Sequence, residues 1–507
     1  MSRVKMTIKN AKIGLLYYSI ALVTQFIARK VFLDHLGDEF IGLTETIKSI
    51  VGFLNLAELG IGTVIGFALY PHFNSGNREK ISEIVSLLSF LYKRIGLLIA
   101  GLGILFSFFI PMIFKGLPFG LFYVYLYYFT FLAATLLTYF VNFRILILEA
   151  DQKSYVVFRN YQVTNILRLL VQTAIAYYLG SLLFWIISDL CFALIFTYAV
   201  NKSIEREYPW LPSKHEKPNL KRHQGLITKI KQSFVHKMAT FVLDGTDQII
   251  IFALIGVNTV TFFTNYQLIF RQINNLLNIV FRNSEAGIGN LVSEGDNKKS
   301  ENIFWEMTGL RYLVGGFFCI AIYFMLDPFI ELWLGGKYIL AQSTIILMSV
   351  SFFITQIRAP VDHYIYAYGL FHDTWAPITE AILNLVLSII LGQIYGLDGI
   401  LMATLISLFL IIFIWKPYFL YSNGFKSNVW SYYLKNIPLL ASFLISFYII
   451  SLLYGYLKIE AEAVNIKDWI LNGLIISLLV TVVYFPILFL LNKESRNLLE
   501  RIKNYIK

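Results

Sequence analysis

The sequence predicts an all-α polytopic membrane protein with about fourteen transmembrane helices. Hydrophobic residues make up 57% of the 507 residues and charged residues only 14%, whereas a soluble globular chain carries roughly 25% charged residues. The apolar residues also occur in uncharged runs of about 20, such as Ile95–Phe114 and Asn472–Leu491, and runs of this length cross a hydrocarbon layer as helices. Alternating ten-residue strands, which a membrane barrel needs, are absent from the sequence.

The apolar segments follow one another at short intervals along the whole chain. Each is long enough to cross a bilayer once, and polar turns separate them. The predicted spans are residues 12–33, 41–71, 84–113, 119–149, 154–178, 182–203, 234–256, 260–290, 303–333, 339–368, 374–395, 398–421, 430–456 and 468–491.

Basic residues are unequally divided between the two sets of loops. The first outward loop, Leu33–Phe40, has no Lys or Arg, whereas the tail Lys493–Lys507 has five. Because Lys and Arg accumulate in cytoplasmic loops, we expect both termini to be cytoplasmic. The first apolar run is too long for a signal peptide, and Arg29-Lys30 stand where a cleavage site would be, so it is predicted as the first span.

A polar, basic segment, Asn201–His236, interrupts the series of spans. It ends in an amphipathic stretch, Leu226–Phe234, that is typical of a helix lying on anionic lipid. We predict an N-terminal six-helix bundle over residues 1–203 and a cytoplasmic basic linker over 204–233. A C-terminal six-helix bundle over 234–421 and two extra transmembrane helices with a cytoplasmic tail over 422–507 follow.

The two bundles contain a weak internal repeat. The ranges Gly37–Gly76 and Gly256–Gly295 have equal length, as do the ranges Arg94–Pro111 and Arg311–Pro328. Six spans is an even number, so the two copies would point the same way and be pseudo-symmetric about an axis along the membrane normal. We expect a central cavity between two such bundles.

Polar residues recur along the eighth predicted span at steps of three and four, which places them on one helical face. Charge in the membrane interior is costly and usually faces a cavity or a partner. We therefore predict a water-lined, substrate-binding face formed by Gln267, Arg271, Asn274, Asn278 and Arg282.

Other spans offer further polar groups. Arg29, Lys48 and Arg168 lie in the first, second and fifth spans and are predicted to bind substrate. In the seventh span, Asp244 and Asp247 are predicted to be counter-charges, or a site for H⁺ or Na⁺ coupling. They could equally neutralise Arg271 or Arg168 in a buried ion pair. Lys416 lies near a span end, from which its ammonium is expected to reach the interface.

Several classes of function are disfavoured. The chain has no Gly-rich loop ending in Gly-Lys-Ser/Thr, no His/Cys cluster spaced for metal, and two cysteines that both lie inside apolar runs. The longest outward loop, about Tyr456–Asp468, is too short to hold an active site. We expect a transporter rather than an enzyme, with no catalytic residue, no metal, no cofactor and no nucleic-acid partner.

Four short segments resemble a known family. Asn10–Leu16, Leu36–Leu43 and Leu56–Gly62 are similar to the first two spans of the bacterial polysaccharide exporters, and Glu149–Tyr155 is similar to their inward turn after the fourth span. These exporters belong to the multidrug/oligosaccharidyl-lipid/polysaccharide (MOP) superfamily. The chain most closely resembles its O-antigen and capsular repeat-unit flippases.

The resemblance implies a multidrug-and-toxin-extrusion-like (MATE-like) fold, alternating access and a cationic cavity in the bacterial inner membrane. The implied substrate is an undecaprenyl-diphosphate-linked oligosaccharide for O-antigen, capsule or exopolysaccharide, moved to the outer leaflet. Related flippases use basic residues on spans one, two and eight, here Arg29, Lys48 and Arg271, whose charges would be uncompensated. Membrane lipids, a glycan polymerase and a chain-length regulator are candidate partners. The alternative is a cation-coupled multidrug exporter with an acidic cavity dominated by Asp244 and Asp247.

Overall fold

The computed structural model describes residues 3–54, 61–151, 153–211, 218–228, 230, 245–370, 373, 375–457 and 465–497. Within these ranges every regular element is a helix and no β-strand occurs. The chain divides into two compact units, Met1–Thr261 and Phe262–Lys507. The all-α fold predicted from apolar run length is therefore confirmed.

The first unit consists of helices that follow the predicted spans one to seven. They are α1 (Arg3–Leu36), α2 (Asp38–Leu54), α3 (Ile61–Ser75), α4 (Arg78–Ser107), α5 (Ile110–Ile113), α6 (Leu121–Phe140), α7 (Ile145–Ala150), α8 (Ser154–Ala174), α9 (Leu182–Glu207) and α10 (Asp247–Leu254).

Aromatic side chains fill the interior of this unit. Helix α1 packs against α8, and α9 packs against both α6 and α8. The buried Trp185 ring on α9 meets Phe32 and Phe40 edge-on, with ring centroids 5.4 and 5.3 Å apart. Tyr127 on α6 completes the cluster, 6.2 Å from Trp185. Such edge-on pairs add to the stabilisation from burial alone.

The second unit follows the remaining spans. Its helices are α11 (Val257–Ser293, whose first turn belongs to the first unit), α12 (Asn297–Leu334), α13 (Gln342–Ala367), α14 (Trp375–Leu408), α15 (Lys416–Leu420), α16 (Trp430–Tyr456) and α17 (Ile466–Leu491).

Helix α12 is central to this unit, because it packs against α13, α16 and α17. The Tyr484 hydroxyl on α17 donates to the backbone oxygen of Tyr312 on α12 at 2.6 Å. A Cβ at Gly316 would collide with this hydroxyl. The two C-terminal helices, predicted to be additional to the bundle, thus pack closely on α12.

Helix α14 contains a break where the sequence predicts the turn between two spans. Gly396 has φ 60° and ψ −133°, a backbone conformation that glycine adopts most readily. Further along, a π-helical turn, Phe409–Trp415, precedes Pro417. Proline lacks an N–H and clashes with the carbonyl four residues earlier, and a widened turn accommodates it.

The predicted repeat coincides with equivalent turns at two places along the chain. The four glycines that define it all have positive φ and separate consecutive helices: Gly37 (89°), Gly76 (67°), Gly256 (134°) and Gly295 (77°). The residue after each second glycine, Asn77 or Asp296, caps the next helix by accepting from a backbone N–H at 3.0 Å. The same turn chemistry at the same spacing supports the duplication.

Many of the described helices have the length and composition of membrane spans. Eight helical segments, among them Trp375–Phe425 with its break, contain an apolar window of 18 residues with no more than two charges. On α17 the outward side chains include Leu474, Leu478 and Val482, each more than half exposed. A row of exposed aliphatic side chains suits lipid rather than water. The protein is a polytopic membrane protein.

The predicted domain boundaries remain predictions. The expected start of the second bundle, residue 234, lies outside the described residues. Helix α10, in the seventh predicted span, belongs to the first unit, where it contacts α2. In the linker, the His223 ring is buried, with its Nε2 3.3 Å from a carboxylate oxygen of Glu83 on α4.

Candidate functional site

The polar stripe predicted on the eighth span lies on α11. Gln267, Arg271, Asn274 and Asn278 fall within one face of this helix at spacings of three and four residues. Arg271 and Asn278 are exposed, whereas Gln267 and Asn274 are half-buried. Arg282 also lies in α11, but its side chain is outside the described residues.

Arg271 forms no hydrogen bond or ion pair with any described residue. It lies fourteen residues after the start of α11, roughly 21 Å along the helix at 1.5 Å per residue. A guanidinium in a membrane-spanning helix is costly to place against lipid. The sequence predicts that α11 spans the membrane, so an exposed Arg271 without a described partner agrees with the predicted water-lined face, which stays a prediction.

The basic groups predicted on the first two spans share one carboxylate. Glu45 Oε1 on α2 is 3.3 Å from Arg29 Nη1 on α1 and 3.4 Å from Lys48 Nζ. Arg29 is largely buried and Lys48 is about one third exposed. The three groups together carry one net positive charge rather than two, so the expectation of uncompensated charges on both Arg29 and Lys48 is wrong.

Arg168 on α8 is enclosed in a hydrogen-bonded network. Its Nη1 donates to Asp189 Oδ1 on α9 at 2.8 Å and to Gln172 Oε1 at 3.0 Å, and its Nη2 donates to Asn165 Oδ1 at 2.8 Å. Gln172 in turn donates to Asp189 at 3.2 Å. The sequence suggested Asp244 or Asp247 as a partner for Arg168, whereas the structure supplies Asp189. Substrate binding by Arg168 stays a prediction.

The two acidic residues predicted on the seventh span are only partly described. Asp244 lies outside the described residues. Asp247 is the first residue of α10 and is half-buried, with other interactions in the fold. A carboxylate in the first turn is favourably placed for the helix dipole. Its predicted role in ion coupling stays a prediction.

A further half-buried group of paired charges was not predicted from the sequence. Asp362 on α13 is 2.6 Å from Lys416 Nζ on α15 and 3.6 Å from Arg358 Nε one turn earlier on its own helix. Lys416 was expected to extend towards the interface, but it is only one fifth exposed. The i, i+4 spacing of Arg358 and Asp362 within an apolar span was the available signal.

The turn between α7 and α8 carries a compact charged cluster outside the spans. Lys153 Nζ lies 2.7 Å from Glu207 and 3.0 Å from Asp151, and the Tyr208 hydroxyl donates to Asp151 at 2.7 Å. Burial opposes the charged form of Lys153, but its bonds to Glu207 and Asp151 outweigh this and raise its pKa. Burial and the bond to Asp151 raise the pKa of Tyr208. The cluster fastens the end of α9 to this turn.

The helices define an all-α polytopic membrane protein whose fold is similar to that of solved transporter structures. No family model and no curated protein matches the sequence. Among solved structures, the chain is similar to the lipid II flippase MurJ in an inward closed conformation, with TM-score 0.67 and 15% identity over 94% of this chain and 98% of that one.

The chain is also similar to MATE transporters. An inward-facing MATE family transporter of the MOP superfamily gives TM-score 0.59 and 14% identity, over 80% of this chain and 97% of that one. A MATE transporter of Vibrio cholerae gives 0.55 and 12%, over 82% and 98%. At such low identity the likeness is one of fold.

Proposed function

We propose that this protein is a flippase that moves undecaprenyl-diphosphate-linked oligosaccharides from the inner to the outer leaflet of the bacterial plasma membrane by alternating access. The substrate would be the repeat unit of an O-antigen, a capsule or an exopolysaccharide. The observation that carries the proposal is the exposed Arg271 without a described partner, within a polar stripe on α11. A guanidinium can replace the water around a diphosphate with paired hydrogen bonds.

The shared fold supports the proposal without deciding the substrate. The similar MurJ structure is that of a lipid II flippase, which supports a lipid-linked substrate for this chain. Asn and Gln on the same stripe could bind sugar hydroxyls. The lipid tail need not leave the bilayer if only the headgroup crosses the protein.

A cation-coupled multidrug exporter of the same fold is the rival function, and the MATE likeness favours it. It requires carboxylates available to a cation, with the basic groups paired elsewhere. In the described residues, Glu45, Asp189 and Asp362 are each ion-paired, while Arg271 has no described partner. This pattern favours an anionic ligand. Coupling to H⁺ or Na⁺, and partnership with a polymerase or chain-length regulator, stay predictions.

The first prediction separates the two functions. The purified protein in proteoliposomes should move a fluorescent undecaprenyl-diphosphate oligosaccharide between leaflets at least about tenfold faster than empty vesicles, because its Arg271 face can accept a diphosphate. Dithionite quenching of the outer leaflet measures the rate. Expression in a strain lacking its drug exporters should not lower ethidium accumulation. Ethidium export without glycolipid movement would establish the rival function.

A further inference from the structure

A chain of three hydrogen-bonded side chains crosses the second unit from a buried arginine to the α11 stripe. Arg311 Nη1 on α12 donates to Gln356 Oε1 on α13 at 3.1 Å. Gln356 Nε2 donates to Asn274 Oδ1 on α11 at 2.5 Å. Arg311 and Gln356 are 4% and 3% exposed, whereas Asn274 is half-buried. These hydrogen bonds therefore link the buried Arg311 to Asn274 at the surface.

The chemistry of arginine determines the direction of every bond in this chain. A guanidinium has five donors and no acceptor, so the oxygen of the Gln356 amide must face Arg311. The nitrogen of that amide then faces Asn274, whose oxygen must accept. Amide orientation is otherwise ambiguous between oxygen and nitrogen, but the donor-only arginine leaves one arrangement. The Nδ2 group of Asn274 donates to no described residue.

Close packing fixes the positions of these hydrogen-bonded side chains. A Cβ at Gly315 on α12 would lie 2.8 Å from the Cβ of Gln356, so a glycine is needed for the amide to reach its position. The Arg311 guanidinium lies 3.8 Å from the centre of the Phe281 ring on α11, a favourable cation–π arrangement. Both the donor and the amide that it orients are thus fixed by packing.

We propose that Asn274 is a specificity-determining residue that presents only N–H donors next to Arg271. Gln356 and Arg311 are the positioning residues that fix the orientation of its amide. This inference rests on the proposed function. Residues three apart on a helix have neighbouring side chains, about 5–6 Å apart at Cβ. Arg271 and Asn274 together form a donor-only surface for the oxygens of a diphosphate, and the surface offers no acceptor to a cationic ligand.

The test replaces the donors of Asn274 without changing its size. Asn274→Asp still accepts from Gln356, but it presents a charged oxygen where the N–H₂ group was. The adjacent Asn275 is exposed on the same helix, one turn after Arg271, and no hydrogen bond joins it to Gln356. Asn275→Asp therefore introduces the same charge about as close to Arg271 while the donors of Asn274 are kept, and it is the matched control for charge.

Binding of farnesyl diphosphate to the full-length protein in nanodiscs should be measured by calorimetry. We expect Asn274→Asp to weaken the affinity at least tenfold and Asn274→Ala about threefold, and we expect a clearly smaller loss for Asn275→Asp than for Asn274→Asp, because only the latter also removes the proposed donors. Gln356→Glu cannot donate to Asn274. The Asn274 amide should then turn its oxygen outward, and binding should weaken in this variant as well. Thermal unfolding of each variant in detergent shows whether the fold is retained.

Two results would overturn the inference: equal losses for Asn274→Asp and Asn275→Asp, or wild-type affinity in Asn274→Asp. Wild-type protein that binds no farnesyl diphosphate would also overturn it. The proposed function can fail separately. A protein that flips no lipid-linked oligosaccharide, yet binds farnesyl diphosphate in an Asn274-dependent manner, retains the donor surface. One that flips the glycolipid equally well with Asn274→Asp retains the function but not this inference.

Discussion

Two polar stripes in this protein look alike in sequence and differ in structure. On α8 the stripe includes Asn165, Arg168 and Gln172, and on α11 it includes Arg271 and Asn274. On α8 the guanidinium of Arg168 is paired within the protein, because Asp189 of the next helix and the amides of Asn165 and Gln172 accept its hydrogen bonds. In the second, the amide is held by Gln356, but the guanidinium has no described partner. A polar stripe in the sequence thus identifies one face of a helix, but whether its polar groups are paired depends on which residues the neighbouring helix supplies.

The largest expected effect on stability follows from removing Asp189, the carboxylate partner of Arg168. Asp189→Ala should lower the free energy of unfolding by about 3 kcal/mol, because it leaves the Arg168 guanidinium enclosed without a carboxylate. Unfolding by sodium dodecyl sulfate in mixed micelles measures this loss. The double variant Arg168→Gln/Asp189→Asn removes both charges and should recover most of it. An Asp189→Ala protein as stable as wild type would mean that the two stripes do not differ in the way described.

A smaller effect is expected from disturbing the support of the open stripe. Gly315→Ala should cost about 1–2 kcal/mol of unfolding free energy, because its Cβ would displace Gln356. It should also weaken farnesyl diphosphate binding, since the amide that orients Asn274 moves. Gly101 on α4 has open space around it, so Gly101→Ala is the matched control and should be neutral or slightly stabilising. Equal behaviour of the two alanine variants would contradict the packing argument.

The helical fold was predictable because apolar run length is a local property of the sequence. Most predicted spans contain a described helix, although only residues 245–256 of the seventh are described, and the break between two spans falls at Gly396. The turns at Gly37, Gly76, Gly256 and Gly295 were also predictable, because these glycines recur at the same spacing. Orientation in the membrane remains a prediction based on charge alone.

The partners of the charged residues were not predictable, because they depend on how helices pack. Asp189 is a single carboxylate in an apolar span, 21 positions after Arg168. Lys416 and Asp362 are 54 positions apart and meet beside a π-helical turn. Gln356 lies on α13, and nothing in the polar pattern of that helix indicates that it contacts α11. Sequence periodicity placed the polar residues on one face of α11, whose role in binding stays a prediction, but it could not tell that Arg29 and Lys48 share Glu45.

The most direct test of the account is the translocation rate of Arg271→Ala in proteoliposomes containing a fluorescent undecaprenyl-diphosphate oligosaccharide. Because Arg271 has no described partner inside the protein, its loss should leave the unfolding free energy within about 0.5 kcal/mol of wild type, as for an ordinary exposed site. The flipping rate should fall at least about a hundredfold, and Arg271→Lys should restore part of it, since lysine keeps the charge without the paired hydrogen bonds. A normal flipping rate in Arg271→Ala, or a loss of flipping fully explained by unfolding, would contradict the proposed role of α11.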